Sequence, residues 1–321
     1  MLNNHSHFSL LERYLSQCDK LAWVIATIVN KAGSSYRSPG AIMLVNSLGQ
    51  THGLVSGGCL EANIVLHAKK VFDNQQAHYV EYDMLEEDGY AAELGVGCKG
   101  KIGVLLQFIT AAHQTLLTRL YQRMHNGELS YLQQIFSAAA GEQHALNELS
   151  LFDNQGQLLL STDAQNQQVK NAELEQMIKR DKAHINFSLA QTEISLTKIS
   201  APINFWIFGG GSDAVPLVLM ARQMGWRVTV VDHRSSYARQ SMFKDASDIF
   251  RLLGPLERRG NVEAIAEIAD RAWLTKNVNG PVGLDIGGEL PESIALSILA
   301  QCHSVLHQRS GLALSGKYIN G

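Results

Sequence analysis

Two of the four cysteines lie in glycine-rich turns, where a thiol can be presented to a ligand. Cys59 stands in SGGCLE and Cys98 in GVGCKG, whereas Cys18 and Cys302 fall in helix-like patterns and are expected to be small core residues. Cys59 is predicted at the entry of a helix and Cys98 precedes Lys99, and both settings favour the thiolate. Four cysteines are too few for a disulfide framework in a chain of this length, and the lack of C-x-x-C spacing argues against a four-ligand zinc site. A thiolate can still coordinate a soft metal of unknown identity or carry sulfur.

The loop GSSYRSPG, between two predicted strands, combines hydroxyls with a guanidinium. Ser34, Ser35 and Arg37 could bind a phosphate or an anionic pterin tail through side chains and backbone N–H groups. A generic Ser/Gly/Pro turn is the alternative interpretation.

The turn that carries Cys59 contains Gly57 and Gly58, so its backbone can approach a ligand. Glu61 follows in the first turn of the predicted helix. The helix dipole favours a carboxylate at that position, so its presence has a structural explanation as well as a catalytic one.

A second glycine-rich turn, GGGSDA, follows the apolar strand FWIF and precedes a helix and the strand RVTVVD. The spacing of Gly209, Gly211 and Ala214 fits G-x-G-x-x-A, in which the backbone approaches a pyrophosphate at a helix N-terminus. Asp232 ends the next strand, where a carboxylate would accept hydrogen bonds from a ribose. This order predicts a nucleotide site. The alternative is a scaffold of the same shape retained for packing or partner contact.

A third glycine pair follows Asp285 in PVGLDIGGELPES, before a helix that begins at a proline. Asp285 could bind a ligand hydroxyl or a metal, or could stabilise the turn.

These motifs need two kinds of scaffold. Before residue 200, apolar runs that alternate with a helix of period 3.6 predict an α+β domain with a mixed sheet. It has a β-rich tail from about 138 to 200, which we expect to form hairpins on a mostly polar surface. Beyond Pro202 the strand, turn, helix and strand predict a Rossmann-like domain. The expected α/β chain therefore has domains at 1–200 and 201–321.

Composition excludes several classes of function. The chain has 321 residues, a formal net charge of −3 and no long basic run, so nucleic acid is a poor candidate ligand. Neither a signal-peptide pattern nor an apolar stretch of membrane-spanning length occurs, so we expect a cytoplasmic protein that does not bind membranes.

Several ordered motifs closely resemble the XdhC/CoxI family of xanthine dehydrogenase accessory proteins. They are GSSYRSPGAIML, GLVSGGCLEANI, LGVGCKG, IFGGGSDAVPLVLMARQMGWRVTVVDHR and PVGLDIGGELPESIALSILA. The resemblance spans almost the whole chain. It implies an N-terminal site with Arg37, Cys59, Glu61 and Cys98 and a Rossmann site with Gly209, Gly211, Asp232 and Asp285.

The resemblance also implies a function: binding molybdenum cofactor (molybdopterin) and assisting its sulfuration and insertion into a xanthine dehydrogenase-type molybdenum hydroxylase. A cysteine desulfurase and a second copy of the chain are further expected partners, and NAD(P) or another nucleotide would occupy the Rossmann half. A cofactor chaperone is expected rather than an enzyme. An NAD(P)-dependent oxidoreductase and a degenerate partner-binding scaffold are the alternatives.

The chain departs from the family pattern between DASDIFR and LLGPLERRGN, which nearly abut where another βαβ unit is expected. The Rossmann-like domain is therefore predicted to be shortened, with fewer strands than a six-stranded dinucleotide fold. Lys99 and Leu290 replace a usual Gly and a usual capping Thr.

Overall fold

The structure is a computed structural model that describes residues 5–83, 100–138, 143–162, 172–189, 191–234, 236–237, 239–251 and 282–312. The chain divides into two compact units, Asn3–Pro202 and a second that runs from Ile203 to Gly321. Each unit has its own hydrophobic core.

The first unit contains a five-stranded sheet in the order β3-β2-β1-β5-β4. Its strands are β1 (Trp23–Gly33), β2 (Ile42–Asn46), β3 (Thr51–Gly53), β4 (His78–Asp83) and β5 (Gly100–Phe108). The predicted α+β character is confirmed, but every described pairing is antiparallel, whereas a mixed sheet was expected. The reason is that the helix after β3 leads to the opposite edge of the sheet, so β4 runs in the same direction as β3 but pairs with β5 instead of with β3.

Helix α2 (Glu61–Asn74) covers one face of this sheet. Ile64, Ala68 and Val71 are buried, as their helical spacing predicts. They pack in the same cluster as Val24 and Val104 of the central strands. This packing places the first residues of α2, and the turn before them, at an end of the sheet.

The opposite face packs against two helices and a second sheet. The helices are α1 (His7–Leu15), whose N-terminus is capped by Ser6, and α3 (Ala111–His125), capped by Thr110. The second sheet has the order β8-β7-β6-β10-β9 and is accompanied by a 3₁₀ helix (Gln143–Asn147) and α4 (Ala172–Lys179). Its strands are β6 (Ser130–Ser137), β7 (Leu149–Phe152), β8 (Leu158–Ser161), β9 (His184–Leu189) and β10 (Thr192–Ile199).

The hairpins expected between 138 and 200 are present as β7–β8 and β9–β10, but the expectation of a mostly polar surface for them is wrong. β7 is buried along its whole length, and Leu196 of β10 is fully buried. Polar side chains of this sheet are buried too and have partners. The Nε2 of Gln134 donates to Oε1 of Gln107 at 2.8 Å and to Oγ1 of Thr27 at 3.2 Å. Satisfied hydrogen bonds allow amides to lie inside the unit.

The second unit contains the predicted strand, glycine turn, helix and strand. β11 (Asn204–Phe208), β12 (Arg227–Asp232) and β13 (Asp248–Arg251) form a parallel sheet in that order. α5 (Ala214–Gln223) connects β11 to β12 and packs with α6 (Pro291–Leu306). The Rossmann-like class is confirmed. The predicted loss of a βαβ unit concerns the chain between Arg251 and Leu284, most of which lies outside the described residues, so it stays a prediction.

Candidate functional site

The sequence motifs of the first unit that the structure describes lie at one end of its first sheet. The Ser34–Arg37 loop leaves β1, and Gly33 pairs with Gly100, the first residue of β5. The two backbones touch, because a Cβ added to Gly100 would lie 2.4 Å from the carbonyl oxygen of Ser34. The start of β5 is therefore held against the hydroxyl-rich loop. Cys98, two residues earlier in the chain, lies outside the described residues, so its predicted place in a cleft shared with Cys59 stays a prediction.

Tyr36 joins this loop to the turn that carries Cys59. A Cβ added to Gly57 would lie 3.8 Å from Cδ2 of Tyr36, so the ring covers that glycine. Gly58 faces open space and has a φ of +109°, a conformation that only glycine adopts readily. Two segments about twenty residues apart in sequence thus share one surface.

Glu61 holds the turn that carries Cys59 in place through hydrogen bonds. Its Oε1 accepts hydrogen bonds from the backbone N–H groups of Val55 (3.2 Å) and Ser56 (2.8 Å), and its Oε2 accepts from Oγ of Ser56 at 2.5 Å. The Ser56 hydroxyl in turn accepts from the N–H groups of Gly58 and Leu60. Burial alone would raise the pKa of Glu61, but the hydrogen bonds from Ser56 and Val55 lower it. Glu61 therefore has a structural role, and its predicted catalytic role stays a prediction.

Cys59 is half-buried and stands two residues before Glu61, the first residue of α2. The expected position at the entry of a helix is therefore observed. Ser35 donates from its hydroxyl to the carbonyl of Arg37 at 2.7 Å and so stiffens the loop from within. Arg37 itself is half-buried.

Two histidines that the sequence motifs do not include belong to this region. Nε2 of His7 lies 2.8 Å from the carbonyl oxygen of Gly40, at the end of the Arg37 loop. Burial, reinforced by the charge of Arg37, lowers the pKa of His5, while the charge of Glu61 opposes this shift. His5 is thus within electrostatic reach of both residues. The only sequence signal was the pair of histidines at the N-terminus of α1.

The glycine turn of the second unit has the predicted geometry. Gly209 has a φ of +122° and donates to the carbonyl of Val231 at 2.8 Å, and Gly210 donates to Oδ2 of Asp232 at 2.7 Å. Asp232 therefore lies at the tip of β12 beside the turn, which confirms the spacing argument. The side chain of Asp213 lies over Gly211, since a Cβ on Gly211 would be 2.3 Å from its Oδ1.

Asp232 does not present open acceptors to a ribose, as the sequence had suggested. Its side chain is 1% exposed, and Oδ1 accepts from the backbone N–H and Nε of Arg234 at 2.8 and 3.0 Å. Nη2 of Arg234 donates to Oδ2 at 2.8 Å. These hydrogen bonds from Arg234 hold the pKa of Asp232 far below its usual range. Sequence spacing could predict the position of this carboxylate, but it could not show that Arg234, two residues away, forms an ion pair with it.

A cavity of about 350 Å³ opens between the glycine turn and α6. Its polar lining comes from Gly209, Gly211, Asp213, Arg234 and Tyr237, and its apolar lining includes α5 and α6 side chains such as Leu217, Ile294 and Ile298. Asp285 is exposed and is not among the residues that line this cavity. The segment that carries it is tied to α6 instead, since the N–H of Gly283 donates to Oε1 of Gln301 at 2.7 Å.

In the described part of the chain, no three His, Cys, Asp or Glu side chains are grouped to hold a metal ion. No helix in that part is both long enough and apolar enough to cross a membrane.

Comparison with known proteins gives matches to both units. Residues 19–83 match the XdhC and CoxI family, and residues 205–266 match the XdhC Rossmann domain. A probable xanthine dehydrogenase subunit from Bacillus subtilis (strain 168) is 26% identical over 316 residues, which cover 87% of this chain and 91% of the relative. The crystal structure of a xanthine dehydrogenase from Bacillus halodurans is 25% identical with a TM-score of 0.73, covering 97% of this chain and 99% of that one.

Proposed function

Because the chain belongs to the XdhC and CoxI family, we propose that it is an accessory protein that binds molybdenum cofactor and assists its sulfuration and insertion into a xanthine dehydrogenase-type molybdenum hydroxylase. The naming of the Bacillus subtilis relative as a probable xanthine dehydrogenase subunit supports this choice of partner. A cysteine desulfurase would supply the sulfur. The place of action would be the cytoplasm, and a homo-dimer is a further part of the proposal.

The observation that carries the proposal is the shared surface of the Ser34–Arg37 loop and the Ser56–Cys59 turn, joined through Tyr36 and Gly57. The donor set there fits the cofactor. Backbone N–H groups, hydroxyls and a guanidinium suit its phosphate, and a thiol suits its soft metal or its sulfur. Gly58 leaves the surface open, because a side chain at this position would meet no other atom within 4 Å.

Each residue has a definite task in this proposal. Arg37, Ser34 and Ser35 would bind the phosphate end of the cofactor. The thiol of Cys59 would lie toward its molybdenum end, and Glu61 would hold the Cys59 turn in place through Ser56 and Val55. The bound cofactor would supply the molybdenum centre that the partner hydroxylase uses.

The second unit would bind a nucleotide. Its glycine turn opens onto a cavity of about 350 Å³, and that turn precedes α5, whose N-terminal N–H groups favour an anion. NAD(P) is the nucleotide class that this arrangement suits best.

The test is to co-express a xanthine dehydrogenase with this protein, with its Cys59→Ala variant, or with an empty control, and to measure hydroxylase activity and molybdenum content. The native chain is expected to raise both quantities, and Cys59→Ala to raise them less. Cys302→Ala is the matched control, because it removes a half-buried thiol from α6 of the second unit and should behave like the native chain.

If the native chain raises neither quantity above the empty control, the accessory function is wrong for this protein. If Cys59→Ala performs as well as the native chain, the function stands and the assignment of Cys59 to the site does not.

A further inference from the structure

Arg234 is the last residue of the motif RVTVVDHR and directly follows β12 and His233 in the second unit. It forms a two-pronged ion pair with Asp232, with Nε 3.0 Å from Oδ1 and Nη2 2.8 Å from Oδ2. Its Cζ also lies 3.7 Å from the centroid of the Tyr237 ring. Asp232 and Tyr237 therefore hold the guanidinium from two sides, and Arg234 and Tyr237 both line the cavity beside the glycine turn.

The ion pair occupies the carboxylate oxygens of Asp232 that would otherwise accept hydrogen bonds from a ribose. A carboxylate offers about four acceptor directions, and those of Asp232 are taken by the N–H of Gly210 and by three donors of Arg234. A ribose with two hydroxyls could bind Asp232 only by displacing Arg234, which would break hydrogen bonds to a carboxylate that is 1% exposed. A ligand that leaves the pair intact is therefore favoured.

Arg234 keeps donors for such a ligand. Its side chain is 45% exposed, and among the described residues its Nη1 has no hydrogen-bond partner. A guanidinium that is held rigidly and faces a cavity is a good binder of phosphate oxygens, because its fork of N–H groups is already oriented. In dinucleotide folds, an arginine near the end of the second strand accommodates a phosphate on the adenosine ribose.

We infer that the second unit selects a dinucleotide that carries a phosphate on its adenosine ribose, as NADPH does, over one with two ribose hydroxyls, as in NADH. This inference rests on the proposed nucleotide site and specifies its ligand. Asp232 acts as the positioning residue for Arg234, and Arg234 is the residue that contacts the phosphate.

The test is calorimetric titration of the full-length protein with NADPH and with NADH. NADPH is expected to bind at least about tenfold more tightly, the worth of one hydrogen bond to a charged group. Adenosine 2′,5′-bisphosphate and 5′-AMP, compared in the same way, isolate the ribose phosphate from the rest of the ligand and should differ in the same direction.

Arg234→Gln should abolish the preference and leave NADH binding equal or stronger, because Asp232 then regains acceptors for ribose hydroxyls. Loss of a merely structural residue would weaken both ligands alike. Arg239→Gln is the matched control, since Arg239 is exposed in the same segment and does not line the cavity, and it should keep the preference for NADPH.

Arg234→Gln leaves a buried carboxylate unpaired, so the double variant Asp232→Asn/Arg234→Gln provides a second test without that charge. It too should bind NADPH no better than NADH. Equal or tighter binding of NADH by the native protein overturns this inference while the nucleotide site stands. If none of the four ligands binds, the nucleotide site itself is wrong and the inference is rejected with it.

Discussion

The acidic residues Glu61 and Asp232, which sequence spacing marks as candidates for ligand binding or catalysis, are both used by the protein itself. Glu61 closes the turn before α2, and Asp232 holds both Gly210 and Arg234. In each case the carboxylate accepts hydrogen bonds from two backbone N–H groups, at least one of them in a glycine-rich segment. These residues therefore position the segments that would meet ligands.

Glu61→Gln should lower the free energy of unfolding by about 1–2 kcal/mol at neutral pH, since it replaces hydrogen bonds to a charged acceptor with weaker ones. The pKa of Glu61 is lowered from 4.5 in the folded protein, so the stabilisation is present above pH 4.5 and is lost as pH falls through the lower folded pKa. Urea unfolding across this pH range should show the two proteins converging in acid.

The matched control for this experiment is Glu12→Gln, which removes the charge of an exposed glutamate from α1. It should leave the stability close to that of the native protein throughout. A Glu61→Gln protein as stable as this control at neutral pH would show that the Val55 and Ser56 contacts contribute nothing measurable.

Removal of either partner of the Asp232–Arg234 pair should destabilise the second unit to different extents. Arg234→Gln leaves a carboxylate that is 1% exposed without its cation, at a cost of about 3 kcal/mol. Asp232→Asn leaves a guanidinium that is 45% exposed and can be hydrated, so it costs less stability than Arg234→Gln. Denaturant unfolding of the two variants measures the difference, and a larger loss for Asp232→Asn would contradict this account.

At the scale of elements, the antiparallel order of the first sheet brings the Arg37 loop, the Cys59 turn and the start of β5 to one end of the sheet. The strand β1 runs into the Arg37 loop, and β5 begins beside it because Gly33 and Gly100 are paired. The turn after β3 reaches the same surface, where Tyr36 meets Gly57. The two described motifs, the Ser34–Arg37 loop and the Cys59 turn, lie in connections between elements, where residues can vary in conformation without loss of sheet pairing.

The adjacent glycines of the Cys59 turn should respond differently to the same change. Gly58→Ala forces an alanine to a φ of +109°, at a cost of about 1–3 kcal/mol or a rearranged turn, although space is available. Gly57→Ala should be nearly neutral, because its φ is not positive and the new Cβ would make an ordinary contact with Tyr36 at 3.8 Å.

Thermal unfolding of the two alanine variants tests this expectation, and cofactor transfer in the co-expression assay reports on the shape of the turn. A Gly57→Ala protein that loses as much stability as Gly58→Ala would mean that the backbone conformation of this turn differs from the one described.

At the scale of the whole molecule, stability against acid depends on buried histidines. Burial lowers the pKa of several histidines in the first unit. Burial lowers the pKa of His113 from 6.5 to about 4. Burial also lowers the pKa of His7 and of His184. In the unfolded chain these imidazoles take up protons more readily, so acid favours unfolding.

The contribution of His113 is present above pH 6.5 and is lost progressively as pH falls toward about 4, with a total of about 3 kcal/mol. His113→Gln should therefore flatten the loss of stability over this range, as measured by urea unfolding at successive pH values. The exposed His125→Gln on the same helix is the control and should leave the slope as in the native chain. If stability depended on pH with the same slope in both variants, the account of His113 as a neutral, buried imidazole would be wrong.

Local features could be predicted from the sequence alone. The helical face of Ile64, Ala68 and Val71 and the approach of Asp232 to the Gly209–Gly211 turn follow from spacings of a few residues or from one βαβ unit. Periodicity and turn chemistry determine such features because they depend on neighbours along the chain. The match of the motifs to the XdhC and CoxI family is of the same kind.

Only the tertiary structure decided how distant or competing groups are used. These uses depend on which side chains reach one another after packing. Examples are the contact of Tyr36 with Gly57, the buried hydrogen bond between Gln134 and Gln107, and the ion pair of Asp232 with Arg234. A polar residue in a sequence is equally compatible with solvent and with a buried partner, because the hydrogen bond that permits its burial comes from elsewhere in the fold. For that reason the sequence predicted an open ribose acceptor at Asp232, and the folded chain contains a closed ion pair.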